Sequence, residues 1–91
     1  MSMQMERGVD FLPKFREDLA DWIRTDRKLA LRTLILVEAV VADPFEGIGK
    51  PEPLKHELAG CWSRRITQEH RLVNRVTADR IYFLQARYPY E

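Results

Sequence analysis

Six arginines, Arg64, Arg65, Arg71, Arg75, Arg80 and Arg87, are the basic residues between Gly60 and Arg87, and only Glu69 and Asp79 stand against them. A guanidinium is planar, permanently charged and suited to two-pronged contact with phosphate, so this run marks the place for an anionic ligand. Glu52 lies between Pro51 and Pro53; the flanking prolines stiffen the backbone and fix the direction of the carboxylate. His56, His70 and the single Cys61 have no ligand-like spacing, so neither a metal site nor a cofactor is expected. A catalytic thiol needs a placed base, and a lone cysteine has no partner for an internal disulfide.

The scaffold that must position these groups is small. Ninety-one residues, 45% apolar and 32% charged, make one domain over residues 1–91 and exclude a multidomain enzyme. No apolar stretch approaches the ~20 residues that cross a bilayer, and no basic segment leads into an apolar one at the start, so a cytoplasmic chain without membrane contact is expected. Charge is uneven: residues 1–49 hold seven Lys+Arg against nine Asp+Glu, net −2, and residues 50–91 hold eight against five, net +3.

Val9 to Leu12 reads as a strand, and Pro13 suits the first turn of a helix that runs to about Thr25. Phe15, Leu19, Trp22 and Ile23 form its apolar face, with Arg16, Glu17, Asp18, Asp21 and Arg24 turned outward. Thr25 or Asp26 caps a second helix, which Asp43-Pro44 closes after Ala42. Ala30, Leu34, Val37 and Val41 make one stripe of it, and Leu31, Ile35 and Ala39 widen the apolar surface. Such a helix either packs under a sheet with a partner on its other side or is fully buried.

Residues 44–53 contain three prolines and two glycines and read as an ordered loop anchored by Phe45, Ile48 and Leu54. Three strands then follow, Gly60 to Thr67, Arg71 to Thr77 and Arg80 to Tyr88. Alternation sends Trp62, Ile66, Leu72 and Val76 to the core, and Asn74 with them. An odd connection between the first two strands brings Ser63, Arg65, Arg71, Val73 and Arg75 onto the opposite face; an even one scatters them.

The stretch from Asp43 to His56, PFEGIGKPEPLKH after its aspartate, followed by WSRRI at Trp62–Ile66 and EHRLV at Glu69–Val73, resembles the YoeB (Txe) toxins of the RelE superfamily. Weaker similarity runs through Asp18, Trp22 and Asp26 and into Ala86-Arg87-Tyr88. The resemblance implies an α+β, RelE-like domain, a mainly antiparallel sheet with two N-terminal helices packed on one face. It further implies the toxin of a type II toxin–antitoxin pair that enters the ribosomal A site and cuts messenger RNA. In that reaction the ribose 2′-hydroxyl attacks the adjacent phosphorus and expels the 5′-oxygen, which calls for a base, cations on the phosphate and an acid.

Carried over by motif, Glu52 matches the general base, Arg71 the arginine on the transition-state phosphate, and Lys55 and Arg65 the residues that hold RNA. Arg87 and Phe83 are expected to bind RNA as well, with Phe83, Tyr88 and Tyr90 the candidates for stacking on bases. The family ends Arg-Tyr-His-Tyr, its histidine the general acid, whereas this chain reads Arg87-Tyr88-Pro89-Tyr90. Two readings stay open: Tyr88 or Tyr90, with Arg87 lowering the phenol's pKa, supplies the proton, or the chain is a weakened toxin that binds antitoxin and co-represses its operon. The partners implied are a YefM-like antitoxin, the ribosome with its messenger and, from the wide second helix, a second copy.

Overall fold

The computed structural model describes residues 6–87. Strand β1 (Gly8–Phe11) leads into helix α1 (Pro13–Thr25) and helix α2 (Arg27–Ala42). A short edge strand β2 (Glu52–Pro53) and a 3-10 turn (His56–Leu58) precede the meander β3 (Cys61–Arg65), β4 (Arg71–Val76) and β5 (Arg80–Gln85). The five strands lie in the order β1-β5-β4-β3-β2, antiparallel except for the parallel β1–β5 pair. Both helices pack on one face, as expected of an α+β domain of this type.

Local chemistry explains the helix boundaries. Pro13 opens α1, where its missing N–H is not needed. Asp26 interrupts the two helices in an extended conformation, and its side chain accepts from the Leu29 amide to cap α2. Asp43, before Pro44, ends α2 in the same extended conformation.

Between helices and sheet the core is Phe15, Leu36, Val37, Val40, Ile66, Leu72, Ile81, Phe83 and Ala86. The buried stripe of α2 is Ala30, Thr33, Leu36, Val37 and Val40. This differs from the expected stripe, since Leu34 and Val41 face outward together with Leu31 and Ile35. The helix is therefore not a fully buried one. Its apolar residues recur on every side, so periodicity alone could not choose which face met the sheet.

Five residues connect Arg65 to Arg71, and the two are directly paired, as are Ser63 with Val73 and Cys61 with Arg75. The odd connection of the two alternatives is the one present. Trp62, Arg64, Leu72 and Asn74 face the helices, while Ser63, Arg65, Arg71, Val73 and Arg75 face away. In β5, Asn74 pairs with Phe83 but Val73 with Gln85, which leaves Leu84 as a bulge residue. The bulge shifts alternation by one residue and returns Ala86 to the helix side, where it is buried.

Candidate active site

The segment that delivers Glu52 to the sheet is held from beneath by an arginine. Asp43 closes a turn by accepting from the amides of Phe45 and Glu46 at 3.0 and 3.2 Å. The Arg64 side chain, wholly buried, then donates to the carbonyls of Glu46 and Ile48, each at 3.1 Å, and to that of Asp43. Burial pushes this guanidinium below its usual pKa, and the nearby Asp43 carboxylate opposes the shift. Phe45 and Ile48, expected to anchor the loop, are instead exposed; Leu54 is buried as expected. Alternation held the clue, because it sends Arg64 to the core side, where a guanidinium must find acceptors.

Gly49 completes the loop. Its carbonyl accepts from the Arg65 amide at 2.7 Å, and its φ of +84° is one that side chains rarely adopt. Lys50 also takes a left-handed conformation, φ +54°, after which Pro51 turns the chain onto the sheet edge. There Glu52 pairs with Ser63 and Pro53 with Trp62. Proline is tolerated in this strand because β2 is an edge.

Directly opposed residues in an antiparallel pair share a face. Glu52 therefore stands on the side of Ser63, Arg65 and Arg71, away from the helices. Diagonal neighbours in such a ladder lie about 7–8 Å apart, somewhat less between their Cβ atoms, which is the relation of Glu52 to Arg65. The Glu52 carboxylate is exposed, Arg65 and Arg71 are half-buried, and the Ser63 hydroxyl and Arg65 Nε are buried with no hydrogen-bond partner. A carboxylate and two guanidinium groups thus share one end of one face. A carboxylate can accept a proton, and guanidinium groups can balance charge on a phosphodiester.

The face is less open than its charge suggests. Leu54 and Leu58 fold over it and pack with Cys61, Val73 and Leu84 into a second small core. Lys55, exposed, lies in this covering segment. Arg75 sits exposed beyond it, opposite Tyr82, and Arg80 is held by Asp10.

Two of the residues expected to bind RNA lie elsewhere. Phe83 faces the helices, has no exposed surface, and packs on Phe11 and Phe15 with ring centroids 5.2 and 5.6 Å away. It offers no face for stacking on a base, because the Asn74–Phe83 pairing turns it inward. Arg87 is directed to α1, where it donates to Asp21 at 2.9 Å and lies 5.3 Å over the Trp22 ring. Tyr88, Pro89 and Tyr90 lie outside the described residues. Trp62, expected in the core, is half-buried, its ring centroid 5.2 Å from that of Phe45. His70 packs edge-on against Trp22, ring centroids 4.7 Å apart. Asp18, read from the sequence as outward-facing, is fully buried under the end of β5.

A family model described as "YoeB-like toxin of bacterial type II toxin-antitoxin system" matches residues 11–90. Toxin YoeB of Mycobacterium bovis is 52% identical over 84 residues, which are 92% of this chain and 99% of that protein. The structure of the YoeB dimer from Staphylococcus aureus superposes with a TM-score of 0.83 at 36% identity, covering 93% of this chain and 99% of that one. The YoeB–YefM complex from Staphylococcus aureus gives 0.81 at 35% identity, over 92% and 98%.

Proposed function

The chain belongs to the YoeB-like toxins of bacterial type II toxin–antitoxin systems, and from that premise we propose that it is a ribosome-dependent endoribonuclease cutting messenger RNA in the A site. The observation that carries this reading is the register of β2, β3 and β4, which brings Glu52, Arg65 and Arg71 to one end of one face. Glu52 takes the proton from a ribose 2′-hydroxyl as its oxygen attacks the adjacent phosphorus. Arg71, with Arg65 opposite, balances the negative charge that grows on the phosphoryl oxygens. The phosphorus–5′-oxygen bond breaks, leaving a 2′,3′-cyclic phosphate on one fragment. A proton from Tyr88 or Tyr90 goes to the departing 5′-oxygen. Lys55 and Arg65 hold the RNA strand by its backbone.

A YefM-like antitoxin is the protein partner in this reading, its acidic groups covering the basic end of the sheet. The S. aureus relative solved with YefM supports it. Pro89 favours a second reading, because proline has no proton to donate where the family carries histidine. In that case the chain binds antitoxin and co-represses without cutting.

Primer extension on programmed 70S ribosomes separates the two readings. On the first, the chain as it stands cleaves and Pro89→His cleaves faster. Glu52→Gln and Arg71→Ala each lose about two to three orders of magnitude. Cleavage by Pro89→His alone establishes the weakened toxin, and an unimpaired Arg71→Ala overturns the mechanism.

A further inference from the structure

The neighbouring arginines of β3 divide between its two faces. Arg65 stands with Arg71 on the face of Glu52, whereas Arg64, with no exposed surface, points to the helix side. The Arg64 fork serves one segment. Its Nη1 donates to the Ile48 carbonyl at 3.1 Å, and its Nη2 to those of Glu46, at 3.1 Å, and Asp43. The chain closes tightly around it: a Cβ at Gly47 would lie 3.0 Å from Arg64 Nη1, and one at Gly49 3.1 Å from Arg64 Cβ. The next residue of β3 completes the attachment, since the Arg65 amide donates to the Gly49 carbonyl at 2.7 Å.

Burying a charge among neutral carbonyls is costly, and Arg64 Nε has no acceptor among the described residues. An apolar chain of similar length would fill the space beneath the loop at lower cost. What the guanidinium adds is a rigid planar fork whose acceptors are spread from Asp43 to Ile48. The place of that segment gives the fork a consequence. Strand β2 is two residues long, lies at the sheet edge and includes a proline, so its own pairing is a weak hold on Glu52. After Pro53 the chain is secured by Leu54, which is buried and donates its amide to the Cys61 carbonyl. Before Glu52, Phe45 touches Trp62 but, like Ile48, is exposed, and the hold falls to the carbonyl clamp. Arg64 and the Arg65 amide thus tie the segment that carries Glu52 to the strand that carries the Arg65 side chain.

We propose that Arg64 is a positioning residue for RNA cleavage, holding the turn from Asp43 to Ile48 so that Glu52 enters β2 at a fixed place on the face of Arg65 and Arg71. This rests on the nuclease reading above. Arg64 touches no RNA, being buried on the opposite side of the sheet from Glu52; it acts through the backbone of the loop. A lysine does not stand in for it, because one ammonium group lacks the two arms that reach these acceptors. The two adjacent arginines of the Trp62–Ile66 motif acquire separate tasks in this way, one beneath the loop and one on the open face.

The test uses Arg64→Met, which keeps the length and removes charge and donors, and Arg64→Lys, which keeps the charge and loses the fork. Arg64→Met remains folded, since an apolar chain of similar size is tolerated in place of a buried charge. Val40→Ala, in the core between α2 and the sheet, is the control for destabilisation alone. Each is measured by urea unfolding, by amide hydrogen exchange and by ribosome-dependent cleavage well below its unfolding midpoint, in the natural and the Pro89→His backgrounds. In both Arg64 variants the Arg65 amide exchanges about tenfold faster, while those of α1 and β5 are unchanged. The cleavage kcat falls about thirty- to a hundredfold, the scale of a misplaced catalytic group, and the ribosome concentration for half-maximal rate stays constant. Val40→Ala keeps its kcat. Added to Glu52→Gln, Arg64→Met lowers the rate no further, because the group it positions is already gone. Full cleavage by Arg64→Met, the same loss on top of Glu52→Gln as alone, or an equal loss in Val40→Ala overturns the proposal while leaving the nuclease intact. Absence of cleavage in both unmutated backgrounds overturns the nuclease reading and the positioning role with it.

Discussion

Asp10 on β1 and Arg80 on β5 show how a single pairing on the face away from the helices responds to pH. Arg80 donates to both carboxylate oxygens of Asp10, at 2.9 and 3.2 Å. This hydrogen-bonded pairing holds the Asp10 carboxyl below its ordinary value of 3.8, with a smaller opposing effect of desolvation. A carboxyl whose folded pKa is depressed stabilises the fold fully above its unfolded value, and the contribution disappears as pH falls through the folded value. Asp10→Asn should therefore lower the thermal midpoint at neutral pH slightly and flatten its fall below about pH 4. Melting curves across that range check it. At this scale the shared face of Arg65 and Arg71 was legible from alternation alone. The sequence misled where a charge on an amphipathic helix implied solvent: Asp18 looks like Glu17 or Asp21 until the strand end that it binds is known. Phe83 misled for a different reason, since an aromatic near arginines suits a base platform and a core equally well.

The loop before Glu52 and the bulge in β5 are where an element decides what its residues can do. A Cβ at Gly49 would lie 2.8 Å from Leu36 Cδ2 and 3.1 Å from Arg64 Cβ, on a backbone already at φ +84°. Gly49→Ala should cost about 2–4 kcal/mol by clash and strain together, and because the same loop delivers Glu52, cleavage should fall more than stability explains. Urea unfolding and primer extension on the same preparation measure both. Next to the bulge, Asn74 is buried with neither its amide nitrogen nor its oxygen hydrogen-bonded. Removing an unsatisfied buried amide recovers its desolvation cost, so Asn74→Leu should raise stability by about 1–3 kcal/mol; a drop in urea midpoint would mean that the amide has a partner, such as an internal water. Helices and meander were readable because period and capping residues agree. The edge strand β2 and the 3-10 turn at His56–Leu58 were not, because two paired residues, one a proline, leave no alternation to detect.

At the level of the whole molecule, α2 divides its apolar residues between two directions. Val37 and Val40 meet the sheet, while Leu31, Leu34, Ile35 and Val41 remain 44–60% exposed on the other side. Single exposed apolar residues are ordinary, but four on one helix of a small domain form a patch that water disfavours. A two-fold contact would set this helix face against its own copy and take the patch out of water. The expected state of the isolated chain is therefore a dimer whose melting temperature rises with protein concentration. Leu34→Glu puts a charge in the patch without touching the core or the Glu52–Arg71 face. It should yield a folded monomer with a concentration-independent and lower melting temperature, still able to bind antitoxin. Light scattering after size exclusion, with melts over a hundredfold concentration range, decides it. A wild-type chain that is monomeric throughout would mean that the α2 face stays bare, and a Leu34→Glu chain that remains dimeric would move the interface to another surface.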